Sequence, residues 1–175
     1  GEVDATNVVD NPRLTIMTTV SYDHMEYMGD TLAQIAAFEC GLLRPEAPCV
    51  VSYQAEEAMD AMQDIAAEIG APLYMYGQHW QVARHEQGMI FADAHGQAAL
   101  PAPALLGPHQ IVNAGNAIAA LSLLEEFNVE EEHVKAGLAK ARWKGRLEQL
   151  RAPFLPPGAE CWFDGGHNEA AAEVV

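Results

Sequence analysis

The sequence predicts an α/β fold: a parallel sheet flanked by helices, with a small antiparallel layer attached. Three observations predict it. Short β-rich runs alternate with helical periodicity as far as Tyr76. Three further strand-like runs, separated by turn residues, then follow directly on one another. Half of the 175 residues are hydrophobic, enough to bury one ordinary core but not two full domains.

Taken in order, residues 14–20 follow Asn11-Pro12 and form a β-rich run that reads as a buried strand. Asp30 or Thr31 can cap a helix that runs to about Leu43 and presents Leu32, Ile35 and Ala36 on one face. Pro45 and Pro48 stop it, and residues 49–53 form a second strand. Residues 56–69 place Met59, Met62, Ile65, Ala66 and Ile69 at helical spacing, a core stripe rather than a cofactor box, and Gly70 closes the helix. Residues 73–76 give a third strand. The β-α-β-α-β order argues for a parallel sheet.

Residues 79–84, 88–94 and 97–101 then read as an antiparallel hairpin layer. After the break at Gly107-Pro108, helices are expected over about 109–127 and 130–142. Residues 146–151 alternate weakly, as a strand would. Proline-rich residues 153–158 read as a linker, followed by a strand at 160–164 and a helix from His167. Three domain segments follow: residues 1–152 as a central domain, 153–158 as a hinge, and 159–175 as the opening of a second domain. Gly1 and Val175 both read as cuts, the latter because it stops inside a helical pattern.

The formal net charge of −16 argues against general nucleic-acid binding, because so acidic a surface repels phosphate backbones. It leaves room for a nucleotide held by backbone amides and a metal ion. The acidic runs at Glu56-Glu57, Glu125-Glu126 and 130–132 read as solvated helix faces. Cys40, Cys49 and Cys161 are odd in number and widely spaced, so the natural setting is a reducing cytoplasm. No apolar run is long enough to span a bilayer, so no membrane partner is expected.

Four clusters can carry chemistry, each with a plain alternative. Ser21-Tyr22-Asp23-His24 follows a strand end, where α/β sheets bind ligands. An imidazole there can ligate a metal with a carboxylate orienting it, or can be one hydrogen-bonded His in a turn. Residues 107–117 begin a helix with small residues on one face. Asn113 could pair with a purine edge, or the small residues could simply serve helix packing. Arg146, at a turn that Gly145 permits, suits bidentate phosphate binding or a surface ion pair. Asp164-Gly165-Gly166-His167-Asn168 places a carboxylate for a ribose hydroxyl and two glycines for close ligand approach. It can also be an ordinary strand-to-helix loop capped by Asn168.

In series, Asp4-Ala5-Thr6-Asn7, the Ser21–His24 run, Gly29-Asp30-Thr31-Leu32, Gly107-Pro108-His109-Gln110, Gly145-Arg146-Leu147-Glu148 and the Asp164–Asn168 run resemble one family. It is the folylpolyglutamate synthase/dihydrofolate synthase branch of the Mur ligase superfamily. The resemblance implies a partial Mur-ligase-type central domain and the start of a Rossmann-like C-terminal domain. It implies ATP and Mg2+ as cofactors, dihydropteroate or folate and L-glutamate as substrates, and amide formation through an acyl phosphate. By the same resemblance His24 is a magnesium ligand and a catalytic-site residue. Asn113 lies at the nucleotide base, Arg146 at the phosphates, and Asp164 and His167 in the nucleotide-contacting loop.

Three departures from the family pattern stand out. The family's Gly-rich loop ending in Gly-Lys-Ser/Thr and an acidic metal ligand are absent from this sequence, so the chain alone is expected to be inactive. The family's carbamylated Lys is replaced by Glu39, which either takes over its metal-binding and catalytic role or damages the site. Glu2 and Lys144 stand where the family tends to have Arg and Pro. A Mur-type peptidoglycan-precursor ligase and a non-catalytic binding module remain the alternatives.

Overall fold

The structure is a computed structural model that describes residues 1, 5, 7–151, 153 and 155–174. A parallel sheet forms from β1 (Thr15–Met17), β2 (Cys49–Val51) and β3 (Leu73–Met75), in that spatial order. Between β1 and β2 lie α1 (Met25–Met28) and α2 (Leu32–Glu39), the latter running into a 3-10 turn at Cys40–Leu42. α3 (Glu56–Ile69) joins β2 to β3. The predicted β-α-β-α-β order is therefore present.

Local sequence sets several of these boundaries. Thr31, one of the two expected caps, accepts from the Gln34 backbone while the Gln34 side chain reaches back, a full capping box. Gly70 ends α3 in the left-handed region at φ 78, where a Cβ would be disfavoured. Of the α3 stripe, Met62 and Ala66 are buried and Met59, Ile65 and Ile69 pack half-buried against the same cluster, which Ala58 also joins.

β2 organises the core because successive strand residues face opposite ways. Val50 points into a cluster with Trp80, Phe91, Leu100, Ile111 and Ala119, whereas Cys49 and Val51 point into one with Ala36, Met62, Ala66 and Met75. Both faces of the central strand are thus covered, as a parallel strand requires. The first strand differs from expectation. It is three residues long rather than seven, and Ile16 is 40% exposed. Among the described residues β1 pairs only with β2, so one edge and part of one face stay open.

The antiparallel layer is β4 (Trp80–His85), β5 (Gly88–Asp93) and β6 (Gly96–Pro101). α4 (His109–Ser122) packs across β2, β4 and β5. A Cβ on Gly115 would lie 2.5 Å from Val82 Cγ1 and 2.8 Å from the Trp80 ring, so the small residues of this helix serve close packing onto β4. The expected helix to Phe127 ends early, at Ser122, and a separate 3-10 turn covers Glu125–Phe127. α5 (Glu131–Lys140) follows, with an i,i+4 ion pair between Glu131 and Lys135.

β7 (Glu148–Leu150) and β8 (Cys161–Phe163) pair antiparallel as a two-stranded ribbon, and α6 (Glu169–Ala172) closes the described chain. The strand expected to open a separate domain therefore pairs back onto the strand before the linker. Residue 154 of that linker, residue 152 just before it, Glu2, and Asp4 and Thr6 of the first motif lie outside the described residues. No described helix is long and apolar enough to cross a membrane.

Candidate functional site

The carboxyl ends of the three parallel strands open into one cavity of about 730 Å³, a volume suited to a small organic ligand. Residues just past each strand line it: Thr18 and Thr19 after β1, Tyr53 after β2 and Tyr76 after β3. The N-terminal turns of α4 add His109, Gln110 and Asn113, the turn before β7 adds Arg146, and the loop after β8 adds Asp164 and residues 165–168. Sequence reasoning missed Thr18, Thr19, Tyr53 and Tyr76. The rule that α/β sheets bind ligands beyond their strand ends would have found them.

Four expected site residues meet here: Asn113, Arg146, Asp164 and His167 all line this cavity. Asn113 donates through Nδ2 to Gln110 Oε1 at 3.1 Å, a bond that uses one of its two N–H groups and leaves its oxygen for a further partner. Asp164 is held from two sides. Oδ2 accepts from the Leu147 backbone N–H and Oδ1 from that of Gly166, each at 2.7 Å. Those two bonds hold its carboxyl below the usual range; burial opposes them, and the Arg146 and His109 charges add to them. The loop is glycine-dependent here. A Cβ on Gly166 would lie 2.8 Å from Ala171 Cβ and 3.0 Å from Asp164 Oδ1, and the Arg146 guanidinium lies over Gly165.

His109 is half-buried beside this group. Burial pushes its imidazole below the ordinary value, Asp164 raises it, and Arg146 lowers it again. Its Nε2 lies 2.8 Å from Gln110 Nε2.

His24 sits at the rim. It follows β1 in a left-handed conformation, φ 45, and ends the turn that leads into α1. Its ring centroid is 6.1 Å from that of His167. Asp23, between them, was expected only to orient His24. In the structure it also accepts from Asn168 Nδ2 at 3.0 Å and approaches His167 Nε2 at 3.5 Å. Burial raises the Asp23 carboxyl. The Asn168 amide, the His24 backbone N–H and the two imidazoles outweigh that and leave it below its ordinary value.

Glu39 is not brought to His24. Its carboxylate, at the C-terminal end of α2, lies 2.8 Å from the Gly1 nitrogen, outside the group formed by Asp23, His24 and His167. His24 and Glu39 were each expected to bind metal, and Glu39 does not join the Asp23, His24 and His167 group among the described residues. Among the described residues no other cluster of three or more His, Cys, Asp or Glu side chains that could hold a metal ion stands in its place.

No protein-family profile matches the chain. Individual proteins do. The chain is 31% identical over its full length to a dihydrofolate synthase/folylpolyglutamate synthase of Bacillus subtilis, covering 41% of that protein. Escherichia coli FolC in complex with DHPP and ADP superposes with a TM-score of 0.82 at 32% identity, over 99% of this chain and 39% of that one. A folylpolyglutamate synthase bound to AMPPCP and folate gives a TM-score of 0.83 at 25% identity, over 99% of this chain and 43% of that one. The chain thus spans about two-fifths of the length of the relatives it matches.

Proposed function

We propose that the chain, similar over its full length to dihydrofolate synthase/folylpolyglutamate synthases, belongs to that family and carries the nucleotide-facing part of an ATP-dependent ligase. The reaction joins L-glutamate to the carboxylate of a dihydropteroate or folate. ATP phosphorylates that carboxylate, the amine of glutamate attacks the acyl phosphate, and the amide forms as phosphate leaves. The single observation that carries this reading is the convergence of Asn113, Arg146, Asp164 and His167 on one cavity at the strand ends.

Each side chain has a task that its surroundings permit. Arg146 presents a guanidinium to phosphate oxygens, where a planar fork of donors binds two at once. Asp164 keeps lone pairs beyond its two backbone bonds, so a ribose hydroxyl can donate to it. Asn113 offers an oxygen and an N–H to a base edge, and the exposed Tyr53 ring lies on the same cavity. The N-terminal end of α4 adds a favourable dipole for anionic groups. His167 sets the edge of the loop.

Magnesium accompanies ATP in such chemistry and neutralises phosphate charge. This chain's donors fit that ion only in part: His24 offers one imidazole nitrogen, and Glu39 stands apart with Gly1. We assign residues 1–152 to a nucleotide-binding domain, 153–158 to a hinge and 159–175 to the start of a second domain, working in the cytoplasm with the cysteines reduced.

The reading is tested by exchange. The chain replaces the matching segment of Escherichia coli FolC, and radiolabelled glutamate incorporation is followed with dihydropteroate, folate and a UDP-sugar peptide acceptor. ATP-dependent incorporation into a pteroate or folate acceptor, lost in Arg146→Ala, supports it. Incorporation only into the UDP-sugar acceptor would replace it with a peptidoglycan-precursor activity.

A further inference from the structure

We propose that Thr19 donates its hydroxyl hydrogen to a phosphate oxygen of the ligand in the strand-end cavity, and that Ser52 and Asn116 are positioning residues that turn this hydroxyl outward. The proposal rests on the nucleotide reading above and adds to it a donor on the β1 side of the cavity.

The buried polar side chains among the described residues are Ser52, Gln54, Gln110 and Asn116. Gln110 lines the cavity itself, and the other three converge on the segment just after β1. Gln54 Nε2 donates to the Thr18 carbonyl at 2.8 Å, and the Val20 backbone N–H donates to Gln54 Oε1 at 2.9 Å. One amide thus grips the backbone on both sides of Thr19, as a neighbouring strand would. The Ser52 backbone N–H donates to the Met17 carbonyl at 2.9 Å and carries the β1–β2 pairing up to the same segment. Thr19 is exposed and lines the cavity. Its Oγ1 lies 3.3 Å from Ser52 Oγ, and Asn116 Nδ2 donates to Ser52 Oγ at 3.2 Å.

The hydrogens of this string set its direction. The Asn116 nitrogen can only donate, so Ser52 accepts from it. Between the two hydroxyls either can donate. If Thr19 donated, Ser52 would accept twice, and its own hydrogen would be buried with no acceptor among the described residues. A buried donor left so is costly. If Ser52 donates, every buried hydrogen of the Ser52–Thr19 pair is used, and the Thr19 hydrogen is left for the cavity. A hydroxyl that accepts from such a chain is also polarised to donate more strongly. Asn116 Oδ1 is buried without a partner in the structure, so the bond to Ser52 is the one its side chain makes among the described residues.

A donor so placed suits an anionic oxygen. Arg146 lines the same cavity, and a phosphate can accept from a guanidinium and a hydroxyl together. Because Gln54 and Ser52 already hold Thr19, little ordering remains to be done when the ligand arrives.

The test titrates the 175-residue chain with ADP and with adenosine, read by calorimetry. Thr19→Val keeps the shape and removes the hydroxyl, and should weaken ADP roughly tenfold, the loss expected for a hydrogen bond to a charged group. Thr19→Ser should restore it. Adenosine, which has no phosphate, should bind Thr19→Val as it binds the parent chain. Ser52→Ala should weaken ADP on its own but no further when Thr19→Val is present, because it acts only through that hydroxyl. Circular dichroism confirms folding, and the two Thr19 variants decide the matter should Ser52→Ala unfold. ADP affinity unchanged in Thr19→Val while Arg146→Ala still weakens it would overturn the proposal and leave the ligase reading in place. An equal loss for adenosine would overturn it too, since Thr19 would then shape the cavity rather than contact phosphate. No ADP binding by the parent chain would remove both.

Discussion

The Asn168 side-chain amide donates to the Asp23 carboxylate at 3.0 Å, joining residues 145 positions apart in the chain. Asn168 also caps α6 by accepting from the Ala171 backbone N–H at 2.8 Å. One amide therefore ends the loop that carries Asp164 and fastens it to the turn after β1. Asn168→Ala should lose about 1 kcal/mol from the bond and a similar amount from the cap. Hydrogen exchange is the direct readout: amides of residues 164–172 should lose protection while those of α3 keep theirs.

Helix α4 can approach β4 only because Gly115 has no side chain. Gly115→Ala places a methyl 2.5 Å from Val82 Cγ1, within buried, close-packed surroundings. A cost of about 1–3 kcal/mol is expected. Thermal unfolding should shift down by roughly 2–10 °C. Gly137→Ala, where a Cβ meets nothing within 4 Å, should be neutral or slightly stabilising.

Acid should loosen the site in two steps. In the fold His109 is held below its ordinary value, so the neutral ring is the favoured form. Its contribution is present above the unfolded value, about 6.5, and is lost as pH falls from there through the lowered folded value. Asp23 and Asp164 are also held low, so their contribution is present above about 3.9 and is lost below it. Urea midpoints measured from pH 8 to pH 3 should show both declines. His109→Gln should remove the first and Asp164→Asn should reduce the second.

Cys40 and Cys49 are buried, and burial pushes both thiols up to about 11. The thiolate is the reactive form, so neither should react at neutral pH in the folded chain. Cys161, on β8, is only partly buried. Iodoacetamide followed by mass spectrometry should label Cys161 first, with Cys40 and Cys49 labelled only in denaturant.

Much of the fold was legible because its signals are local. The α3 stripe, the Gly70 cap and the Thr31–Gln34 box are each written within a few residues, and the β-α-β-α-β order follows from them. The four residues expected at the nucleotide do line one cavity, since strand ends and helix starts position them. What stayed hidden is non-local. Three-residue strands do not declare a partner, so the pairing of β8 with β7 could not be read. The turn of α1 was missed because it depends on a left-handed His24, a conformation no sequence periodicity marks. Asp23 was expected to serve one histidine and serves two segments. Glu39 was expected to take over a metal-binding Lys position or to damage it, and in the structure its carboxylate lies against the Gly1 nitrogen at the end of α2.

The central claim is that Asn113, Arg146 and Asp164 face a nucleotide across one cavity. The most direct measurement is titration of the 175-residue chain with ADP, read by calorimetry and by backbone NMR. The account predicts saturable binding, with the largest shifts at residues 109–113, 145–147 and 164–168. It predicts affinity at least about tenfold weaker in Arg146→Ala, because a charge-assisted bidentate contact is lost. Binding of ADP with the same affinity in Arg146→Ala and Asp164→Ala, or no binding at all, would contradict it.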